Sequence, residues 1–370
     1  MINASNDRTA YNNTLVFKWQ EERLNGKPSF PARKEHIMAT SGRRVATGLM
    51  ILLFLCGCRV SLADSGTRQT AGSTTPGTHS FAIRVKGVER RYLLHVPPTY
   101  NPARKWPVVV MFHGGGGTAW FAMRETGWAD KADKEGFLAA FPEGTPLDTS
   151  RPASFRDNPQ TWNDGSRRAN VGAVDRGEAD VEFVSMMLAE MKSHFSVDER
   201  RIYATGFSNG ASMTFRVARE ISPLIAAAAP VAGSDWLEGK IPERPVPLLY
   251  ITGTADPLNP VEGGEIHIGQ KVFDTKPAVG EMIGNWVKIL GCPDETRVIY
   301  ARDGVTGIAY GLPGEAAKLV LYTIEAHGHH WPGGKSSLPK RLAGKNTAKI
   351  KATDVIWEFF NDTAYKMKIH

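Results

Sequence analysis

Cysteine is scarce in this 370-residue chain, which contains three, and two of them, Cys56 and Cys58, share one apolar segment. Without that segment Cys292 stands alone, so we expect no internal disulfide, and an isolated cysteine is typically a small buried apolar residue. The excess of positive charge is also small, with 45 basic against 38 acidic residues. Eight of the basic residues precede residue 45, and the mixed signs elsewhere argue against nucleic-acid binding.

Long apolar runs are missing as well. The run Leu49–Cys56 is much shorter than the roughly 20 residues that a bilayer-spanning helix needs. Hydrophobic residues make up 42% of the chain and charged residues 22%, which is the balance of an ordinary globular protein. The composition therefore excludes a wholly disordered chain and a multi-span membrane protein.

What the chain does have near its start is the layout of a secretory signal peptide. In residues 41–63, Arg43 and Arg44 precede a short apolar core, and small residues follow up to Ala63. The sequence LCGC at 55–58 also resembles a lipobox, which would place a lipid on Cys58. We therefore expect secretion or a periplasmic location, with a lipid anchor on Cys58 as the alternative to cleavage after Ala63.

The remaining N-terminal residues are assigned around that signal. Because a signal peptide belongs at a terminus, we expect translation to start at Met38, with residues 1–37 a non-native upstream extension or a disordered segment. Residues 38–63 form the signal peptide, and residues 64–79, rich in Ser, Thr and Gly, form a flexible linker. One folded domain is expected over residues 80–367.

From residue 80 onward, short apolar runs alternate with helical patterns. Two alternating runs joined across Lys86-Gly87 indicate a β-hairpin. Continuous apolar runs indicate strands buried on both faces, as in a parallel sheet covered by helices; they lie at 107–112, 136–141, 201–205, 226–231, 247–252 and 319–324. Helical spacing recurs at 178–195, 282–290 and 353–365. This order predicts a single α/β domain with a mostly parallel, doubly wound sheet and helices on both faces.

The segment GFSNG at 206–210 follows one predicted strand and opens a helix. A very tight strand-to-helix turn strains the serine backbone, and side chains two residues to either side would collide, so glycine is needed at Gly206 and Gly210. Ser208 would then stand at a helix N-terminus that favours developing negative charge. The pattern predicts a nucleophilic serine; the alternative is a serine that merely caps a helix.

The glycine run HGGGG at 113–117 directly follows the strand at 107–112. A glycine run costs conformational entropy, so it marks backbone that must approach something closely. In esterases such a loop supplies one N–H of an oxyanion hole and the residue after the nucleophile supplies another. We assign these donors to the loop, at Gly114 and Gly115, and to Asn209. A phosphate-binding loop is the alternative, but no Gly-Lys-Ser/Thr follows; His113 is expected to shape the loop.

A nucleophilic serine needs a base and a group that orients the base. Asp256 follows the strand at 247–252, and three histidines, His327, His329 and His330, follow the strand at 319–324. The order serine, acid, histidine along the chain is the order that this motif requires. Two alternatives remain for these residues: Asp256-Pro257 forms a simple turn, or the histidines bind a metal. We expect neither a metal nor a cofactor.

Several motifs occur together in a fixed order: HGGGG, ADKEGFLAAFPEG, TWNDG at 161–165, DVEFV, GFSNGASM, GTADPLNPVEGG and GHHWPGG. Over about residues 80–365 the chain thereby resembles the polyhydroxybutyrate depolymerase-like and feruloyl esterase-like secreted esterases of the α/β-hydrolase superfamily. The resemblance implies an α/β-hydrolase fold and selects His329 as the base, because the family's base precedes one residue and then Trp-Pro-Gly. It also supports Asp256 as the acid.

The resemblance implies a serine esterase that forms an acyl-enzyme, acting on hydroxyalkanoate oligomers or related small esters. The alternatives are a feruloyl or acetyl-xylan esterase, an acyltransferase on the same scaffold, or a non-catalytic binding protein that kept the fold. The family often pairs a cysteine at the position of Cys292, and this chain offers it no partner. Trp120, Trp162 and Trp331 are candidates to line a substrate pocket; packing in the core is the alternative for each.

Overall fold

A ten-stranded sheet forms the centre of the protein. The computed structural model describes residues 74–168, 171–268, 271–293, 295–311, 317–336 and 338–366. The predicted upstream extension and signal peptide, and the linker up to residue 73, lie outside the described residues. The predicted end of the linker at residue 79 is wrong, since residues 77–79 belong to the first strand. With strands numbered along the chain, the sheet order is β1 (Gly77–Val85), β2 (Val88–Val96), β4 (Leu138–Pro142), β3 (Trp106–Phe112), β7 (Val197–Phe207), β8 (Ala227–Val231), β9 (Leu248–Gly253), β14 (Leu319–Ile324), β13 (Val305–Tyr310) and β12 (Thr296–Arg302).

The middle of the sheet is parallel and its two edges are antiparallel. Neighbouring strands from β4 to β14 pair in parallel, whereas β1 pairs with β2, and β12 with β13, as antiparallel hairpins. The predicted turn at Lys86-Gly87 is confirmed, since both residues have positive φ, 48° and 85°, as a two-residue hairpin turn requires. Two small hairpins lie outside the sheet, β5 (Thr145–Pro146) with β6 (Gln160–Thr161), and β10 (Gly264–Ile268) with β11 (Lys271–Lys276).

Helices cover both faces of the sheet. Those in the described residues are α1 (Ala119–Thr126), α2 (Trp128–Glu135), α3 (Gly172–Asp175), α4 (Asp180–His194), α5 (Asn209–Glu220), α6 (Val279–Ile289), α7 (Lys340–Ala343) and α8 (Ala352–Lys366), with a short 3₁₀ helix at Ser222–Leu224. None of them is long and apolar enough to cross a membrane. The predicted strands and helices are all found, which confirms the doubly wound α/β arrangement.

The core has two parts, one on each face of the sheet. Along β3 the side chains alternate: Val108 and Val110 pack in the part that contains helices α4, α5 and α6. Val109 and Met111 pack in the part that contains α1, α2 and α8. All of β3 is buried, which explains why its sequence is continuously apolar rather than alternating.

The sequence did not reveal the hairpin of β12 and β13. Residues of β12 are largely exposed, including Val298 and Ile299 at 60% and 45%, because β12 is the outer edge of the sheet. An edge strand lacks the continuous apolar run that identifies a central strand. Sequence periodicity therefore located the parallel strands in the middle of the sheet and missed the hairpin at this edge.

The tightest packing in the fold lies where β7 turns into α5. A Cβ atom added to Gly206 would lie 2.3 Å from the carbonyl oxygen of Gly210, and one added to Gly210 would lie 2.3 Å from the carbonyl oxygen of Phe112. Both contacts are with backbone, which cannot move aside as a flexible side chain could. The collision expected from the sequence is thus observed, and it fixes α5 directly against the end of β3.

Gly210→Ala should lower the free energy of unfolding by about 3 kcal/mol or more, because the added methyl group overlaps the backbone of β3. Gly115→Ala is the matched control: its Cβ would lie 3.8 Å from the Cβ of Asn209, at ordinary contact distance. That control should change the unfolding free energy by less than about 1 kcal/mol. Urea denaturation of both variants tests this, and equal stability of the two would contradict it.

Candidate active site

Ser208 occupies the turn between β7 and α5 in a strained conformation. Its φ of 56° and ψ of −120° lie in a region that non-glycine residues rarely adopt, and such strain is kept only where the surroundings enforce it. The N–H of Ser208 donates to the carbonyl oxygen of Val231 at 3.0 Å, and its own carbonyl accepts from Ala211 and Ser212 in the first turn of α5. The side chain therefore stands out from the turn at the start of the helix.

The structure brings Ser208 together with the predicted histidine and aspartate. The Ser208 hydroxyl lies 2.8 Å from Nε2 of His329, and Nδ1 of His329 lies 2.8 Å from Oδ2 of Asp256. Asp256 follows β9 and His329 follows β14, so adjacent parallel strands deliver both side chains to the same edge of the sheet. Both residues are 3% exposed. This geometry allows a proton to pass from serine to imidazole while the aspartate orients the ring.

Asp256 is held in its ionised form despite being buried. Burial alone would raise its pKa, but the adjacent His329 and the backbone N–H groups of Leu258 and Asn259 outweigh that effect, so the pKa lies below its ordinary value. The two amides donate to Oδ1 at 2.8 Å each, which leaves Oδ2 for the imidazole. A simple turn at Asp256-Pro257 does not describe this carboxylate, whose two oxygens are both engaged.

The two neighbouring histidines are engaged elsewhere. His327 contacts Thr347 through Nδ1 at 2.9 Å and the carbonyl oxygen of His330 through Nε2 at 3.1 Å. The ring of His330 contacts Ser336 and the carbonyl oxygen of Gly344. Within the described residues no group of His, Cys, Asp and Glu is arranged to hold a metal ion. Of these three histidines in the described residues, His329 is the one whose ring contacts Ser208. This agrees with the motif resemblance, which selected His329 as the base.

The glycine loop passes directly beside Ser208. A Cβ added to Gly114 would lie 3.4 Å from the Cβ of Ser208, so this backbone borders the reacting atom. The N–H of Gly116 donates to Gln160 and that of Gly117 donates to Gly114, which leaves the amides of Gly114 and Gly115 as the loop's candidates for an oxyanion. Asn209, the first residue of α5, has an N–H without an intrahelical acceptor, as at any helix start.

The tryptophan prediction is wrong for two of its three residues. Trp162 is 0% exposed, and its indole N–H donates to the carbonyl oxygen of His113 at 2.9 Å. Trp331 is 1% exposed and donates to Thr353. An indole without exposed surface cannot touch a substrate, so both residues belong to the core. Trp120 is 45% exposed and sits in α1, directly after the glycine loop.

An exposed phenylalanine beside the glycine loop was not predicted. The ring of Phe155 lies 2.9 Å from where a Cβ of Gly116 would be, yet 58% of Phe155 is exposed. Its loop is held by Asn158, whose amide nitrogen lies 3.0–3.1 Å from three backbone carbonyl oxygens of residues 148–152. A loop held by these contacts thus presents an aromatic ring beside the glycine loop. No periodic pattern in the sequence could mark it, because the loop is polar and irregular.

A second unpredicted residue is Glu125, at the end of α1. Burial raises its pKa to about 7, although a hydrogen bond from Ser336 and the nearness of His329 both act to lower it. The backbone carbonyl of Glu125 accepts from the N–H of Lys335 at 3.0 Å. The carboxyl group is therefore close enough to His329 to interact with it electrostatically. In the sequence, Glu125 cannot be distinguished from any other charged residue on a helix.

His113 shapes the glycine loop, as the sequence indicated. Its Nε2 accepts the N–H of Gly144 at 2.9 Å, so the ring proton is on Nδ1, which donates to the carbonyl oxygen of Gly114 at 2.8 Å. Burial lowers the pKa of His113 to about 4, with a further contribution from Arg90, and the bond to Gly114 offsets only part of this. The ring stays neutral at physiological pH and clamps the loop.

The sheet order and the serine at a strand–helix junction define the α/β-hydrolase class. The chain belongs to the dienelactone hydrolase family, whose sequence pattern matches residues 94–278. The family and the fold place the protein among the ester hydrolases of that class.

Individual relatives support the same placement. NocK of Nocardia uniformis subsp. tsuyamanensis, a protein assigned as an esterase, is 29% identical over 317 residues, which cover 79% of this chain and 84% of NocK. Feruloyl esterase B of Piromyces equi is 28% identical over 66% of this chain and 44% of its own length. Poly(3-hydroxyalkanoate) depolymerase C of Paucimonas lemoignei is 30% identical over 38% of this chain and 31% of its own length. The chain thus spans less than half of the last two, whose names confirm the resemblance drawn from the motifs.

A solved structure shows the same fold. The acetyl xylan esterase from Aspergillus awamori aligns with a TM-score of 0.50 over 76% of this chain and 99% of its own, at 13% sequence identity. At that identity the likeness concerns the architecture alone.

The buried His113 should make the protein lose stability in mild acid. The unfolded chain takes up a proton near pH 6.5, whereas the native ring does so only near pH 4, so the free energy of unfolding should fall as the pH drops between those values. The loss attributable to this residue is about 3 kcal/mol.

His113→Gln is the comparison, since its amide oxygen can still accept the N–H of Gly144. That variant should be less stable at pH 7 but should show a flatter dependence of unfolding free energy on pH between 6.5 and 4. Urea denaturation at a series of pH values measures both slopes. Parallel curves for the two proteins would show that His113 does not titrate as described.

Proposed function

We propose that the protein is a serine esterase in which Ser208, His329 and Asp256 form the catalytic triad. The observation that carries the proposal is the continuous hydrogen-bonded chain from the Ser208 hydroxyl through both nitrogens of His329 to Asp256, at 2.8 Å per step. A serine hydroxyl is a poor nucleophile unless an adjacent base removes its proton. The chain supplies that base, and a buried carboxylate orients it.

The reaction follows from these positions. His329 takes the proton from Ser208 as the serine oxygen attacks the ester carbonyl and the carbonyl oxygen becomes negative. His329 then protonates the departing alcohol, and an acyl group remains on Ser208. Water, deprotonated by His329, attacks the acyl carbonyl; the bond to the serine oxygen breaks, His329 returns the proton to that oxygen, and the acid is released with Ser208 restored. Asp256 stays ionised throughout and stabilises the imidazolium that forms in each half of the reaction.

The negative oxygen of each tetrahedral intermediate would be bound by backbone N–H groups. We assign this role to Asn209 and to Gly114 or Gly115, since these amides border Ser208 on two sides. Donors fixed by the fold need no reorganisation when charge develops, which is why such sites contribute strongly to rate. The strained turn at Ser208 and the close contact of the glycine loop both serve this fixed arrangement.

For the substrate we propose hydroxyalkanoate oligomers or related small esters. The support is the order of motifs across the body and the relative named as a poly(3-hydroxyalkanoate) depolymerase. A feruloyl or acetyl-xylan ester is the second candidate, favoured by the relative named feruloyl esterase B and by the exposed ring of Phe155, since aromatic rings stack on one another. Transfer of the acyl group to an alcohol instead of water is the remaining variant on the same triad.

We further propose that the protein is exported, on the strength of the signal-peptide layout at residues 38–63. Cleavage after Ala63 would release it to the periplasm or medium, and lipid attachment at Cys58 would anchor it. These segments lie outside the described residues. In either case the protein would meet ester substrates that lie outside the cytoplasm.

Ser208→Ala should reduce kcat for a p-nitrophenyl acyl ester by a factor on the order of 10⁶, because the nucleophile is removed while the fold is kept. The same variant should not be labelled by a fluorophosphonate probe that labels the wild-type protein. Near-normal turnover by Ser208→Ala, or labelling of that variant, would rule out this serine. Thermal unfolding serves as the control, since the variant should melt near the wild-type temperature.

Phe155→Ala should separate the two substrate classes. If the ring binds an aromatic acyl group, the variant should raise KM for a feruloyl ester by about tenfold, in keeping with the loss of a buried stacking contact, and leave KM for p-nitrophenyl acetate unchanged. Val298→Ala, an exposed apolar residue on the edge strand β12, is the control and should change neither. Equal KM values for wild type and Phe155→Ala on every ester of a panel of hydroxybutyrate oligomers, feruloyl esters and acetylated sugars would remove the ring from the site.

A further inference from the structure

The segment 161–164, part of the TWNDG motif, forms hydrogen bonds with the side chain of Asn209. The backbone N–H of Trp162 donates to Oδ1 of Asn209 at 2.8 Å, and Nδ2 of Asn209 donates to Oδ2 of Asp164 at 2.7 Å. The carbonyl oxygen of Trp162 accepts from the same Nδ2 at 3.3 Å. Every polar atom of this amide side chain is therefore engaged, and Asn209 is 9% exposed.

The same segment also holds the glycine loop. The indole N–H of Trp162 donates to the carbonyl oxygen of His113 at 2.9 Å, one residue before Gly114. Its ring packs edge-on against Phe112, the last residue of β3, with centroids 5.4 Å apart. Residues 162 and 164 thus bridge the two backbone segments that carry the proposed oxyanion donors.

Asp164 is the charged anchor of this bridge. It is 0% exposed and forms an ion pair with Arg168. Arg168 in turn lies 2.9 Å from Asp274 on β11, and Lys276 lies 2.8 Å from the same Asp274. The four groups carry two negative and two positive charges, so the buried carboxylate of Asp164 is neutralised as well as hydrogen-bonded.

We propose that Asp164 is a positioning residue of the esterase, which holds the side chain of Asn209 so that the backbone N–H of Asn209 points at the oxyanion. This inference rests on the proposed function. The direction of that N–H depends on the tilt of the peptide between Ser208 and Asn209, and this peptide could rotate more freely if the side chain of Asn209 were not held. A side chain tied at both ends prevents this.

Asp164→Asn tests the proposal, because it keeps the shape but replaces an acceptor by an N–H₂ group facing Asn209 or Arg168. We expect kcat for p-nitrophenyl butyrate to fall about 10- to 100-fold, less than the loss of an entire oxyanion donor, with KM changed less than about threefold. A trifluoromethyl ketone forms a tetrahedral oxyanion on serine, so its Ki should rise by the same factor as kcat falls.

The matched control is Asp235→Asn. Asp235 also forms a buried pair with an arginine, Arg219, but at the far end of α5, at 2.5 Å. This control should lower the melting temperature as much as Asp164→Asn does, yet keep kcat and Ki within about threefold of wild type. Assays run well below both melting temperatures keep folding out of the comparison.

A second variant covers the case in which Asp164→Asn does not fold. Asn209→Ala retains the backbone N–H and removes the tethered side chain, so it should lower kcat and raise Ki in the same proportion. Wild-type kcat and Ki in either variant, or an equal loss in Asp235→Asn, would overturn the proposal. Ser208→Ala keeps the two hypotheses apart: if it is inactive while Asp164→Asn is normal, the triad stands and the positioning role fails.

Discussion

The close approach of α5 to the end of β3 is the constraint on which the site depends. Gly206 and Gly210 have backbone atoms where a Cβ would be, so the helix can begin directly beneath the sheet edge. Ser208, between them, adopts a positive φ of 56°. Because Phe112 pairs with Gly206 across β3 and β7, the loop after β3 then passes beside the serine. One packing contact therefore brings the proposed nucleophile and both proposed oxyanion donors together.

The site also depends on polar groups that are buried, and the loss of solvation is offset differently for each of them. Asp256 loses solvation but gains two backbone N–H groups and an imidazole, so it remains ionised. His113 avoids the cost by staying neutral, with one ring nitrogen accepting and the other donating. Glu125 differs from both, since burial raises its pKa to about 7 and so favours the protonated form near neutral pH. The three buried groups thus differ in charge state: Asp256 is ionised, His113 is neutral, and Glu125 titrates near neutral pH.

The sequence allowed the parts of the site with strict geometric demands to be predicted. Gly206 and Gly210 must be glycine because of the turn that presents Ser208, and Asp256 and His329 must follow particular strands. Trp162 and Trp331 were misplaced because an indole is compatible with both a core and a pocket, and only burial distinguishes the two. Phe155 and Glu125 act through the tertiary positions of an irregular loop and a helix end. The bridge from Asp164 to Asn209 spans 45 residues of chain, and no local spacing could indicate it.

The charges around Asn209 show why a carboxylate can stand behind an oxyanion site. An uncompensated negative charge there would oppose the negative oxygen of the intermediate, most strongly in a buried environment of low dielectric. Arg168 cancels the charge of Asp164 at contact distance, and Lys276 cancels that of Asp274. The ring of Trp236 lies 5.0 Å from the guanidinium of Arg168 and 4.8 Å from the ammonium of Lys276, which favours both cations. Asp164 therefore holds Asn209 through a charged hydrogen bond while adding no net charge near the oxyanion. The side chain next to the backbone of the nucleophile is the neutral Asn209.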